Sequence, residues 1–181
     1  ESFFSPYEKE YFRRCISSRN IHLCVARVPS QPMMVENYFM EDEIAGYIMF
    51  CVRTLNTRMH IDHDVYLQLS HKRCLKIMSI AVASNYRRKG VGETLLRTAL
   101  LSGMHMSAKR ASLHVNFGTW GTAFGEFLSP CHKGLLDLTL AFFPQQYKKF
   151  GFTPVDWVHD YYKDENDDAL LMHCAMDKVK L

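Results

Sequence analysis

Between Cys74 and Asn116 the hydrophobic period of the sequence changes twice, and nothing else in the chain restricts its fold as much. CLKIMSIAV (Cys74 to Val82) is nearly all apolar, as a central strand buried on both faces must be. The turn Tyr86-Arg-Arg-Lys-Gly-Val-Gly92 follows, placing three cations against two glycines. From Val91 the apolar positions are Val91, Leu95, Ala99 and Met106, flanked by Leu96, Leu100 and Gly103, a helical spacing that runs to about Ser107. RASLHVN (Arg110 to Asn116) then returns to a strand pattern. Strand, glycine turn, helix and strand make a βαβ crossover, which closes right-handed and leaves its two strands parallel.

The flanks add antiparallel strands around that unit. PYEKEYFRRCISS (Pro6 to Ser18) places Tyr7, Tyr11, Phe12 and Cys15 at helical intervals, with Ser5 as cap and Pro6 in the first turn. HLCVARV (His22 to Val28) and IAGYIMFCVRT (Ile44 to Thr54) read as an antiparallel pair, joined by a connection whose Pro29, Pro32 and acidic residues resist regular structure. LLDLTLAFFPQQYKKFGF (Leu135 to Phe152) reads as a helix interrupted or kinked at Pro144 and stopped by Gly151. PVDWVHDYYK and ALLMHCAMDKV alternate around the turn DENDD as a closing hairpin. The expectation is one α/β domain over residues 1–181, with a mixed, mostly antiparallel sheet flanked by helices and insertions near 55–72 and 117–146.

Composition bounds the function. With 48% apolar and 13% aromatic residues the chain is of globular type, and a net charge of +3 is too small to make nucleic acid the default partner. No apolar run has the length of a membrane span and the N-terminus lacks a signal-peptide pattern, so a cytoplasmic location is expected, the nucleus remaining open. The chain begins with Glu1, and some preceding sequence is expected to be missing. Six scattered cysteines without a CxxC pair read as free thiols, and no residue set has metal-ligand spacing.

The glycine turn is where chemistry enters. A turn of this kind between a buried strand and a helix start exposes backbone N–H groups that have no intrahelical partner, and the helix dipole adds positive charge there. Gly90 and Gly92 let an anion approach the backbone, while Arg87, Arg88 and Lys89 add countercharge. GxxxxGK[ST] is absent, and GxGxxG fails because Gly90-Val-Gly-Glu-Thr-Leu95 lacks its third glycine.

Arg87-Arg-Lys-Gly90-Val-Gly92 does match the Arg/Gln-x-x-Gly-x-Gly/Ala motif of the GNAT superfamily of acetyl-CoA-dependent N-acetyltransferases, which the chain resembles. Tyr147-Lys-Lys-Phe-Gly-Phe152 resembles the family's Tyr-x-x-x-Gly-Phe motif, and the order of elements agrees. KIMSIAVASNYRRKGVG, SLHV, YKKFGF with Tyr161-Tyr162-Lys163, and FFSPYEKEYF are together similar to the catalytic subunit of N-terminal acetyltransferase E (NatE, also called San).

That resemblance implies acetyl transfer from acetyl-CoA to a protein N-terminus beginning with Met followed by an apolar residue. An α-amine has a pKa near ~8 against ~10.4 for lysine, so freeing it near neutral pH costs only about 1 kcal/mol and a modest base suffices. The resemblance implies His114 as base, through a water, and Tyr147 as the group that meets the departing sulfur. Backbone groups of Ile80, Ala81 and Val82, with Arg87 to Gly92 including Val91, would hold the coenzyme. Phe3, Tyr7, Met78, Tyr161 and Tyr162 would wall the peptide slot, although adjacent strand residues point to opposite faces, so at most one of the tyrosine pair lines it unless the strand bulges. The partner tyrosine of the family falls on Lys76, leaving three readings: His114 acts alone, another tyrosine moves in, or activity is reduced. Partner subunits of an N-terminal acetyltransferase complex are implied, with no nucleic acid and no membrane. A lysine or small-amine acetyltransferase and a low-activity acetyl-CoA-binding scaffold remain as alternatives.

Overall fold

Which stretches join the sheet is decided by where apolar side chains recur. The computed structural model describes residues 9–29, 42–54, 73–116, 145–162 and 167–180. In chain order these form helix α1 (Lys9–Ser17), strands β1 (Ile21–Val28), β2 (Glu43–Thr54) and β3 (Arg73–Val82), helix α2 (Val91–His105), strand β4 (Arg110–Asn116), the short helix α3 (Gln145–Lys149), and strands β5 (Thr153–Tyr162) and β6 (Asp167–Ala175). Among the described residues there is one six-stranded sheet, ordered β1-β2-β3-β4-β6-β5. β3 and β4 are parallel, and every other neighbouring pair is antiparallel. This is the mixed sheet with one crossover that the periods of the sequence require.

Helix α2 supplies one layer of the core. Leu95, Leu96, Ala99, Leu100 and Gly103 are its buried stripe, and they join Ile48, Phe50, Leu75, Ile77, Leu113 and Met172 from the sheet. Fully burying a leucine such as Leu100, 0% exposed, contributes roughly 1.5–3 kcal/mol. Gly103 lets the helix approach, since a Cβ there would lie 2.9 Å from Leu75 Cδ2. Phe150 and Phe152, beyond α3, belong to the same core.

Paired strand residues share a face, so the register also defines the opposite side of the sheet. Cys51, Lys76, Ser112 and His173 form one row across β2, β3, β4 and β6, and His114 follows two residues after Ser112 on that face. Aromatic contacts bring α1 to this side, with Phe12 edge-on to Tyr47 at 5.3 Å.

Two boundaries differ from the sequence reading. The last strand ends at Ala175, and Met176–Lys178 form a 3-10 turn that buries Met176 and anchors its N–H on the Lys109 carbonyl at 3.1 Å. The helix expected from Leu135 is described only as Gln145–Lys149, just after Pro144; the stretches 55–72 and 117–144 lie outside the described residues.

Candidate functional site

The parallel pair opens into a fork. β3 and β4 are joined by three rungs, Cys74↔Arg110, Leu75↔Ala111 and Lys76↔Ser112. Beyond Lys76 no rung joins them, although β3 continues to Val82 and β4 to Asn116. The cause lies on the other edge of β3: Phe50 faces Ile77, but Met49 faces Ser79, so Met78 is an extra residue. A bulge of this kind bends its strand and raises the local twist. The edge around Ile80 and Ala81 is thereby turned away from β4, leaving backbone groups for a ligand laid in the fork. Gly46 allows β2 to follow, because a Cβ there would come within 2.6 Å of the Ala81 carbonyl oxygen.

The glycine turn closes the end of one arm. Gly90 caps α2 at φ 81°, a left-handed conformation natural to glycine, and no side chain caps the helix. Thr94 N–H donates to the Gly90 carbonyl at 2.9 Å, so the N–H groups of Val91, Gly92 and Glu93 precede the first intrahelical bond. A Cβ on Gly90 would meet nothing within 4 Å; backbone conformation and open approach, rather than packing, call for glycine here. Arg87 is exposed, and its Nε donates to the Val82 carbonyl at 3.1 Å, tying the turn to the strand end. Tyr86 Oη donates to Glu43 Oε2 at 2.6 Å, and Lys89 Nζ lies 5.5 Å from the Tyr86 ring centroid. Glu93, the acid of the first turn of α2, is drawn aside by Arg97 at 3.7 Å and Lys149 at 3.6 Å. What results is a fixed turn with free donors, fit for an anion such as a pyrophosphate.

Beside the fork stands a cluster on the face away from α2. The Tyr161 ring stacks on His114 with centroids 4.1 Å apart and planes at 12°. Their strands, β5 and β4, are separated by β6, so a regular sheet would hold them about 10 Å apart. A bulge makes up the distance: Val158 faces Ala169 and Tyr162 faces Asp167, leaving three residues of β5 opposite one of β6, with Asp160 at φ 49°. Asp168 holds it, accepting from Trp157 Nε1 at 2.7 Å and from the Asp160 N–H at 2.9 Å, with His159 Nδ1 at 3.1 Å. These bonds hold the Asp168 carboxyl below its usual pKa despite partial burial, which works in the opposite direction. The bulge also brings Tyr162 within 4.9 Å of Tyr161, edge to face, so the two tyrosines do meet.

Lys76 Nζ lies 3.5 Å from Tyr161 Oη and 6.0 Å from its ring centroid. Among the described residues no carboxylate pairs with it, and burial followed by the charge of Arg53 pushes its pKa down. His114 is lowered to about 4 by burial, then by Lys76 and His173, and its buried Nδ1 has no hydrogen-bond partner among the described residues. His173 is likewise lowered to about 4, by burial and by Arg110, whose guanidinium lies 3.2 Å from its Nδ1. Both imidazoles are therefore neutral near pH 7.

The bulge at Met78, the unpaired end of β3 through Ile80, Ala81 and Val82, and the turn from Arg87 to Gly92 follow one another along the chain, while His114, Tyr161 and Tyr162 form the cluster on the face away from α2. Tyr147 is 9% exposed and packs edge-on to Phe152 at 6.2 Å, within the core. Phe3 and Tyr7 lie outside the described residues. His173, Arg110, Asp168 and Glu43 were not singled out from the sequence. Their partners lie on other strands or across the sheet edge, at separations that carry no local pattern.

Comparison with known proteins agrees with this geometry. The model of the acetyltransferase (GNAT) family matches residues 1–119. The chain belongs to the GNAT family. Acetyl-CoA is the cosubstrate of GNAT acetyltransferases, and the donors at Val91, Gly92 and Glu93 suit its pyrophosphate. A Bacillus subtilis (strain 168) protein named for alanine N-acetylation of ribosomal protein bS18 is 32% identical over 103 residues, 57% of this chain and 54% of that protein. The chain therefore spans about half the length of the curated relative it matches. The fold is shared with Arabidopsis thaliana NAA60 in complex with acetyl-CoA, at TM-score 0.63 and 16% identity over 95% of this chain and 85% of that one. It is shared also with Chaetomium thermophilum Naa20 in complex with a bisubstrate analogue, at TM-score 0.57 and 20% identity over 98% and 78%. Among the described residues no helix is long and apolar enough to cross a membrane.

Proposed function

We propose that this GNAT protein transfers acetyl from acetyl-CoA to the α-amine of protein N-termini. The observation that carries the proposal is the stacked pair His114 and Tyr161 beside the β3/β4 fork, with an imidazole that is neutral near pH 7 and has an unpartnered buried Nδ1. The N–H groups at the start of α2 hold the pyrophosphate, and backbone groups of Ile80, Ala81 and Val82 bond the pantetheine. Acetyl-CoA supplies an activated thioester. An α-amine entering beside Tyr161 feels the positive charge of Arg53, which favours its free-base form. His114 takes its proton, directly or through a water, and Tyr147 is assigned to the departing sulfur. Partner subunits of an N-terminal acetyltransferase complex and a cytoplasmic site of action belong to the same proposal.

For the peptide, the NatE resemblance supports an N-terminal Met followed by an apolar residue, with Met78, Tyr161 and Tyr162 joined by Phe3 and Tyr7 along the slot. The relative named for bS18 alanine N-acetylation supports an N-terminal acceptor in general. The test is acetylation of a peptide panel with free or blocked N-termini, with and without lysine. Acetylation of free N-termini, Met-apolar peptides foremost, is expected; acetylation confined to lysine side chains or small amines would overturn the reading. His114→Ala should abolish turnover while coenzyme binding is kept.

A further inference from the structure

An ammonium taken halfway out of water with no carboxylate beside it is a costly arrangement, and among the described residues Lys76 is one. It stands at the last rung before the fork, on the face that carries His114, with the Tyr161 hydroxyl between it and the opening. We propose that Lys76 is the final acceptor of the proton released by the attacking amine, reached through the Tyr161 hydroxyl, with His114 orienting rather than retaining that proton. The inference rests on the acetyl-transfer reading above.

A second acceptor stands near His114: Lys76 Nζ lies 3.5 Å from the hydroxyl of Tyr161, whose ring stacks on the imidazole. Burial lowers the basicity of His114, which makes the imidazole a poor place to keep the proton. Burial and then Arg53 lower the Lys76 pKa as well, which raises the unprotonated share of its amine. The groups that bear on it are Arg53 and Cys51 from β2, Cys74 from its own strand, His114 from β4 and Tyr161 from β5. None is a carboxylate that would hold the ammonium in place.

The step balances. As the amine nitrogen bonds to the thioester carbon, it gives a proton, through the water that His114 orients, to Tyr161 Oη, which passes its own to the unprotonated Lys76 Nζ. The carbon–sulfur bond breaks with its electron pair on sulfur, and the resulting thiolate, hydrogen-bonded by Tyr147, is protonated from Lys76 or from solvent. The separation of 3.5 Å is the outer limit for such a transfer; catalytic hydrogen bonds commonly shorten when substrate binds.

The experiment measures kcat and KM for an N-terminal peptide from pH 6 to 9.5 in wild type, Lys76→Met, Lys76→Arg, Tyr161→Phe and the Lys76→Met/Tyr161→Phe pair, with coenzyme A affinity by calorimetry as the check on folding. Expected are a wild-type kcat that rises through one titration to a plateau, and a loss of about 100-fold or more in kcat with little change in KM for each single variant. The double variant should be no worse than either single one. Lys76→Arg decides between charge and proton acceptance, because arginine keeps the cation and cannot take the proton. Wild-type kcat in Lys76→Arg or Lys76→Met overturns the inference, as does an unaffected Tyr161→Phe, which decides alone should the Lys76 variants fail to bind coenzyme. A wild type that acetylates no N-terminal amine overturns both the functional reading and this one; an active wild type with indifferent variants overturns this one only.

Discussion

Acid should loosen this protein well before its carboxylates titrate. His114 and His173 lie at about 4 in the folded chain against 6.5 for an unperturbed imidazole. A folded value below the unfolded one means that the unfolded chain binds the additional proton, so this stability is complete above pH 6.5 and is lost as pH falls toward 4. For one such histidine the change between pH 7 and 5 integrates to about 1.8 kcal/mol. His173 is 6% exposed and carries that amount in full, whereas the half-buried His114 is partly screened, so the pair comes to about 3 kcal/mol. With a urea slope of about 2 kcal/mol per molar, the unfolding midpoint should drop by roughly 1.5 M between pH 7 and 5. The assay is urea unfolding followed by circular dichroism at half-unit pH steps. His173→Gln should show about half of the wild-type pH dependence, because the imidazole beside Arg110 is gone. A wild-type midpoint that stays level from pH 7 to 5, or a His173→Gln variant with the full slope, would refute the reasoning.

Two further substitutions test the frame of the site. Gly90→Gln puts a side chain on a residue at φ 81°, which costs about 1–2 kcal/mol in the turn, and coenzyme A affinity by calorimetry should fall at least about tenfold; wild-type affinity would remove the anion-binding role of the turn. Gly46→Ala would force a Cβ against the Ala81 carbonyl oxygen, an overpacking of about 1–3 kcal/mol that should lower the melting temperature by several degrees. An unchanged melting temperature would contradict the close approach of β2 to β3 beside the fork.

What could be read in the sequence is what depends on neighbours along the chain. The crossover was legible because its period switches at Val82 and again after Ser107, and β4 came out at Arg110–Asn116 with both ends as expected. The turn was legible because a left-handed helix cap favours glycine; that Arg87 Nε also ties the turn to the Val82 carbonyl had no local signal. The stacking of Tyr161 on His114 was not legible. Alternation puts Tyr161 and Tyr162 on opposite faces, and only the bulge secured by Asp168 brings both rings together. Nor could the bulge at Met78 be read, since an extra residue in an apolar run does not disturb the composition of that run. The tyrosine expected near His114 is supplied from β5, while Lys76 occupies the strand position.

The three rungs between β3 and β4 have a mechanical meaning as well. Among the described residues they are the sole ladder between a three-stranded half, β1-β2-β3, and another, β4-β6-β5. Cooperativity in a sheet travels along its ladders, and here the ladder is cut short at the centre, leaving a seam that is stitched at one end by Lys76↔Ser112 and below by the side chains of the core. A coenzyme bound in that seam, as proposed above, would take the place of a missing length of strand, so that occupancy would couple the two halves in addition to loading the reaction. The weakest line of the sheet would then also be the line along which the thioester lies.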